Sequence, residues 1–99
     1  MLVNYEILII YDPTLTQEIL EERISNFKKW VEELSGKVEN VEDKGVEKLT
    51  YEINKTAQGH FVLINFNLDP LKVEELRKEI KLDETVWRYM IKKNDEVKV

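Results

Sequence analysis

Four strand patterns and two amphipathic helix patterns, in the order β-α-β-β-α-β, predict an α+β fold of the ferredoxin-like type. In this sandwich a four-stranded antiparallel sheet carries two helices on one face. No repeat, linker or low-complexity segment competes with this organisation. We expect a single domain over residues 1–93, the strand order four-one-three-two, and a C-terminal tail over residues 94–99.

The first strand and the first helix follow from their apolar spacing. Residues 2–11 predict a strand with apolar side chains on both faces, which is typical of a central position in a sheet. The helix is predicted to begin at a threonine cap, either Thr14 with Gln17 or Thr16, and to end at Ser35-Gly36. Its apolar stripe repeats at steps of three and four: Leu20, Ile24, Phe27, Val31 and Leu34.

The middle of the chain predicts a β-hairpin. A long strand over residues 38–53 is interrupted near Gly45, where the apolar spacing slips and a glycine indicates a bulge. A loop over residues 54–59 leads into the strongest strand pattern, residues 60–68. These two strands are therefore expected to pair directly.

The last part of the chain predicts a short helix and a final strand. The helix begins at Asp69-Pro70, because proline fits a first helical turn, and the strand covers residues 86–93. The residues of both helices and three strands expected to form the core are Ile7, Ile9, Leu20, Ile24, Phe27, Val31, Val62, Ile64, Phe66, Leu76 and Ile91.

Composition and charge limit the possible functions. The chain has no cysteine, which excludes disulfides and thiolate metal sites. Its net charge of −5 has the wrong sign for binding nucleic acid unaided. Residues 1–52 carry 6 Lys or Arg against 12 Asp or Glu, whereas residues 53–99 carry 9 against 8. Any phosphate-binding surface is therefore expected mainly in the second half.

Hydropathy gives no indication of a membrane protein. The longest apolar run, residues 7–11, is too short to span a bilayer, and Met1 is not followed by the basic start of a signal peptide. We expect a cytoplasmic protein without a membrane partner.

No pattern predicts catalysis, a metal or a cofactor. His60 is the only histidine, and no base, nucleophile or metal ligand stands at a readable spacing from it. Acylphosphatases of this architecture need an arginine in the first loop, and heavy-metal chaperones need two cysteines; both are missing here. An RNA-recognition motif fits poorly, since residues 58–62 lack the basic start and Phe61 comes one position early.

Four segments taken together resemble bacterial small-subunit ribosomal protein six: Asn4-Tyr5-Glu6, Gly45–Ile53, Gln58-Gly59-His60-Phe61 and Thr85–Ile91. The resemblance covers nearly the whole chain. It implies a non-enzymatic ribosomal component that binds the central domain of small-subunit rRNA as a heterodimer with ribosomal protein eighteen. The strongly basic partner would supply much of the phosphate neutralisation. We expect the isolated chain to be a monomer.

The resemblance also implies RNA-binding residues, namely Arg88, Lys92, Lys93 and Lys48. Arg88 matches the arginine of the family's last strand, and Lys93 matches the basic residue at the end of that strand. Lys48 matches one of the basic positions after the family's glycine. An arginine inside a strand can reach phosphate with its planar guanidinium while its stem packs on the sheet.

Several positions depart from the family pattern: Leu2, Val3 and Asn4 at the start of the chain, then Glu47, Thr50 and Trp87. Asn4 stands where the family usually has a basic residue before its tyrosine-glutamate pair, and Glu47 stands where a basic residue is common. Both changes remove positive charge and should weaken phosphate binding. The alternative hypothesis is a redesigned or drifted protein that keeps the ferredoxin-like fold without binding RNA.

In the expected strand order, the second and fourth strands form the two edges of the sheet. Edge strands carry unpaired backbone amides and carbonyls that invite strand addition. We therefore expect a protein partner to contact residues 38–51 and 86–93.

Overall fold

The computed structural model describes residues 1–53 and 55–94, which form a four-stranded antiparallel sheet and two helices. The strands are β1 (Val3–Tyr11), β2 (Lys37–Ile53), β3 (Thr56–Leu68) and β4 (Val86–Lys93), and the helices are α1 (Gln17–Glu33) and α2 (Val73–Leu82). The order β2-β3-β1-β4 confirms the predicted fold and topology. Most of the predicted tail, residues 95–99, lies outside the described residues.

Both helices pack on one face of the sheet, and the core lies between the two layers. Alternate residues of β1 and β3 supply the sheet side of the core: Tyr5, Ile7, Ile9, Tyr11, Val62, Ile64, Phe66 and Leu68. Phe27 of α1 meets Phe66 edge to face, with 5.6 Å between ring centroids. Every predicted core residue belongs to this cluster, although Ile24 and Ile91 are only partly buried.

Helix α1 begins and ends where the sequence predicts. Of the two candidate caps, Thr16 is the one used, and its Oγ1 accepts a hydrogen bond from the Ile19 amide at 3.2 Å. Thr14 instead donates its hydroxyl to Asp12 Oδ1. At the other end Ser35 takes a left-handed φ of 65°, and the Gly36 amide donates back to the Val31 carbonyl.

The second helical segment differs slightly from its prediction. Asp69 caps a 3₁₀ turn over Pro70–Lys72, and the α-helix proper starts only at Val73. A tighter first turn is common where a capping side chain and a proline start a helix.

The β2–β3 hairpin is longer than predicted. Gly45 has a φ of +82° and lies at a register shift, which confirms the predicted bulge. The predicted loop over residues 54–59 is wrong, because β3 already begins at Thr56 and pairs there with Ile53. Residues 56–58 carry no large apolar side chain, but a backbone ladder needs only amides and carbonyls, so the strand continues beyond its apolar part.

Candidate functional site

Within residues 1–53 and 55–94, no helix covers the side of the sheet away from α1 and α2, called here the open face. Cross-strand partners share a face in an antiparallel sheet, so the register assigns its residues. They are Asn4, Glu6, Leu8 and Ile10 of β1, Phe61, Leu63, Asn65 and Asn67 of β3, and Arg88, Met90 and Lys92 of β4. This face therefore has an apolar end and a polar end.

The apolar end forms a groove of about 470 Å³ under the extended hairpin. Its apolar lining comes from the two central strands, β1 and β3, and from the two edge strands, β2 and β4: Leu8, Ile10, Phe61, Leu49, Tyr51 and Met90. Met90 is 66% exposed and Tyr51 is 71% exposed. A groove with an apolar floor and a few polar or charged side chains at its border is typical of a binding site.

The structure brings two of the four candidate RNA-binding residues to this groove. Arg88 lines it from the open face of β4. Lys48 of β2 also borders it, but Lys48 pairs with Gln58, so the register turns its side chain to the side of the hairpin opposite Glu47 and Gly59. The Arg88 Nη1 donates to the Trp87 carbonyl at 2.8 Å, which holds the guanidinium close to the strand. Among the residues that the structure describes, neither side chain forms an ion pair, so both charges remain available.

The other two candidates lie at the far end of β4. Lys92 shares the open face with Arg88, about 13 Å along the strand, and sits opposite Glu6. Lys93 is opposite Tyr5 and so points to the helix side of the sheet. The four residues therefore do not form one continuous patch, and Lys93 can meet a ligand on the open face only around the strand edge.

His60 has a partner that the sequence did not reveal. Its Nε2 lies 2.5 Å from Asp43 Oδ1, which also accepts a hydrogen bond from the Gly45 amide. The expectation of a partnerless histidine is thus wrong, because strand pairing brings together residues 17 positions apart. The contact fixes the bulge of β2, and within residues 1–53 and 55–94 no cluster of His, Asp and Glu could hold a metal ion.

This contact gives a testable pH dependence. Burial raises the pKa of Asp43, but hydrogen bonds from His60 and the Gly45 amide, with the charge of His60, outweigh it and lower the pKa below 3.8. Asp43 therefore stabilises the fold above its unfolded pKa, and this contribution is lost as the pH falls through the lower folded value. In Asp43→Asn, which keeps the acceptor for Gly45, the free energy of unfolding should fall less steeply below about pH 4.

Urea unfolding of both proteins at a series of pH values measures this effect. Parallel curves for the two proteins across the acid range would contradict the role given to Asp43.

The family is shown by comparison with known proteins. A family model described as ribosomal protein S6 matches residues 4–93. The small ribosomal subunit protein bS6 of Clostridium novyi is 40% identical over 88 residues, which covers 89% of this chain and 93% of that protein. The chain belongs to the ribosomal protein S6 family. The Clostridium kluyveri bS6 is 37% identical over 92 residues, 93% of this chain and 97% of that protein.

A solved structure of the S6 family agrees with the fold. The crystal structure of 30S ribosomal protein S6 from Thermotoga maritima superposes with a TM-score of 0.88 at 28% identity, covering 95% of this chain and 89% of that one. Family membership confirms the resemblance drawn from the sequence, the ribosomal role and the cytoplasmic location. In the described part of the chain, neither helix is long and apolar enough to cross a membrane.

Proposed function

We propose that this chain is a non-enzymatic structural component of the small ribosomal subunit, binding central-domain rRNA together with ribosomal protein eighteen. The observation that carries the proposal is the open-face groove, which combines a partly exposed apolar floor with the Arg88 guanidinium on the same face and has Lys48 at its border. An apolar floor suits a protein partner, and cations at its border suit the phosphates of an RNA that the pair binds jointly.

The groove also accounts for how the edge strands take part. Residues 47–51 of β2 and 88–90 of β4 line it from opposite sides. A partner seated on Leu8, Ile10 and Phe61 would therefore contact both edge strands, as the sequence predicts. Burial of this apolar surface would contribute to the driving force for heterodimer formation.

Charge explains why RNA binding should need the partner. The chain carries a net charge of −5, and two of the acids stand close to the candidate contacts, Glu47 in the groove and Glu6 opposite Lys92. A single Arg or Lys contact with phosphate releases about one counterion, so a few contacts give only weak affinity. We expect weak binding of central-domain RNA by the chain alone and much stronger binding by the pair.

The decisive variant is Arg88→Ala. Joint binding should weaken, and the slope of log K against log salt should fall by about one, because one phosphate contact is lost. Fluorescence titration of central-domain RNA at two salt concentrations measures both quantities. Lys81→Ala is the matched control, since it removes one exposed cation from α2 on the opposite side of the sheet.

If the pair binds this RNA no better than ribosomal protein eighteen alone, the RNA-binding proposal fails. The hypothesis of a chain that keeps the fold without binding RNA would then account for the data.

A further inference from the structure

The polar end of the open face carries a chain of side-chain hydrogen bonds, called here the amide relay, that joins β2, β3, β1 and the residue after β4. Asn94 Nδ2 donates to Asn4 Oδ1 at 2.6 Å, and Asn4 Nδ2 donates to Asn67 Oδ1 at 3.0 Å. Asn67 Nδ2 then donates to Glu39 Oε1 at 2.7 Å. The relay thus links the β2 edge to the residue that follows β4.

All three hydrogen bonds of the relay donate in the same direction, towards Glu39, and the Glu39 carboxylate determines that direction. An ionised carboxylate can only accept, so Asn67 must turn its amino group towards Glu39 and its carbonyl towards Asn4. Asn4 must then present its own carbonyl to Asn94. Each amide donates and accepts at once, and hydrogen bonds arranged head to tail in this way polarise and strengthen one another.

The relay holds the end of an edge strand. β4 is an edge strand that pairs with β1, so backbone hydrogen bonds hold its last residues on one side only. Beyond the ladder, the Asn94 amide donates to the Asn4 carbonyl at 3.0 Å, which adds a backbone contact to the side-chain one. Asn4 therefore forms two hydrogen bonds with Asn94, the residue that directly follows Lys92 and Lys93. Strand ends without such contacts fray readily.

We propose that Asn4 is a positioning residue for RNA binding, which fixes the basic end of β4 through the amide relay without contacting RNA itself. The inference rests on the proposed function, since it concerns the orientation of Lys92 and Lys93 towards RNA. It gives a role to an uncharged, partly buried side chain at the start of β1.

The relay itself can be tested without RNA. In Asn67→Ala, hydrogen exchange of the Asn94 backbone amide should accelerate about threefold or more, and the Asn94 side-chain NH₂ resonances should shift. Within the described residues the Asn67 side chain bonds Asn4 and Glu39 but not Asn94, so the effect must pass through Asn4. Asn65→Ala, on the same face of β3 but outside the relay, is the control. Unchanged Asn94 exchange and resonances in both Asn67→Ala and Asn4→Ala would overturn the proposal.

The RNA measurement separates positioning from charge. Asn4→Ala should weaken joint binding about threefold while leaving the salt slope unchanged, because no cation is removed. A urea midpoint close to that of Asn65→Ala would show that the loss is not one of folding. If Arg88→Ala weakens binding and Asn4→Ala does not, the positioning role is overturned and the proposed function stands. If neither variant changes joint binding, the proposed function itself has failed.

Discussion

Replacing Ile64 with alanine is expected to lower the free energy of unfolding by about 2–5 kcal/mol, because the cavity left in a packed core adds to the lost burial of the side chain. Ile64 is completely buried at the centre of β3, opposite Ile7 on one side and Val41 on the other. Urea unfolding followed by circular dichroism measures the loss.

Val41→Ala is the matched control for this prediction. Val41 shares the helix face and the cross-strand row with Ile64, but it lies on the edge strand and is 38% exposed. Its truncation should cost less than about 1 kcal/mol. An equally small cost for Ile64→Ala would mean that the assignment of faces to β3 is wrong.

The second large effect is expected at Gly36, where α1 passes into β2. A Cβ added there would lie 2.4 Å from the Asn67 carbonyl oxygen and 2.9 Å from side-chain atoms of both Leu68 and Val31. The carbonyl is part of a paired strand and cannot move aside without breaking its ladder. Gly36→Ala should therefore cost about 3 kcal/mol, the upper part of the range for overpacking, as measured by urea unfolding.

Gly45→Ala separates this steric effect from backbone conformation. Gly45 has a φ of +82°, but a Cβ added there would meet no atom within 4 Å. Its replacement should cost only about 1–2 kcal/mol, the penalty of a left-handed conformation for an L-residue. A loss at Gly45 as large as that at Gly36 would show that the contact with Asn67 relaxes easily.

Part of the geometry of the candidate site can be predicted from the sequence. Arg88 and Lys92 are an even number of residues apart in one strand, whereas Lys93 is an odd number from Arg88. The period of two in a strand already implies that the first two share a face and that Lys93 does not. The prediction of four RNA-binding residues did not use this period, and the register of β4 against β1 shows the two faces directly.

The sequence by itself determined the elements, their order and the core, because each depends on spacing within one segment. Alternation in residues 60–68 and steps of three and four in α1 are local patterns, and the topology follows from packing two apolar helix stripes on one sheet. Membership in the S6 family rests on the same local segments in their order.

The tertiary structure alone decided which polar side chains meet. Asp43 and His60 are 17 residues apart, Asn4 and Asn67 are 63 apart, and Asn4 and Asn94 are 90 apart. These contacts depend on strand register, and the bulge at Gly45 shifts that register by a residue. A shift of one residue turns a strand's side chains to the opposite face, so no spacing within a segment can specify its cross-strand partners.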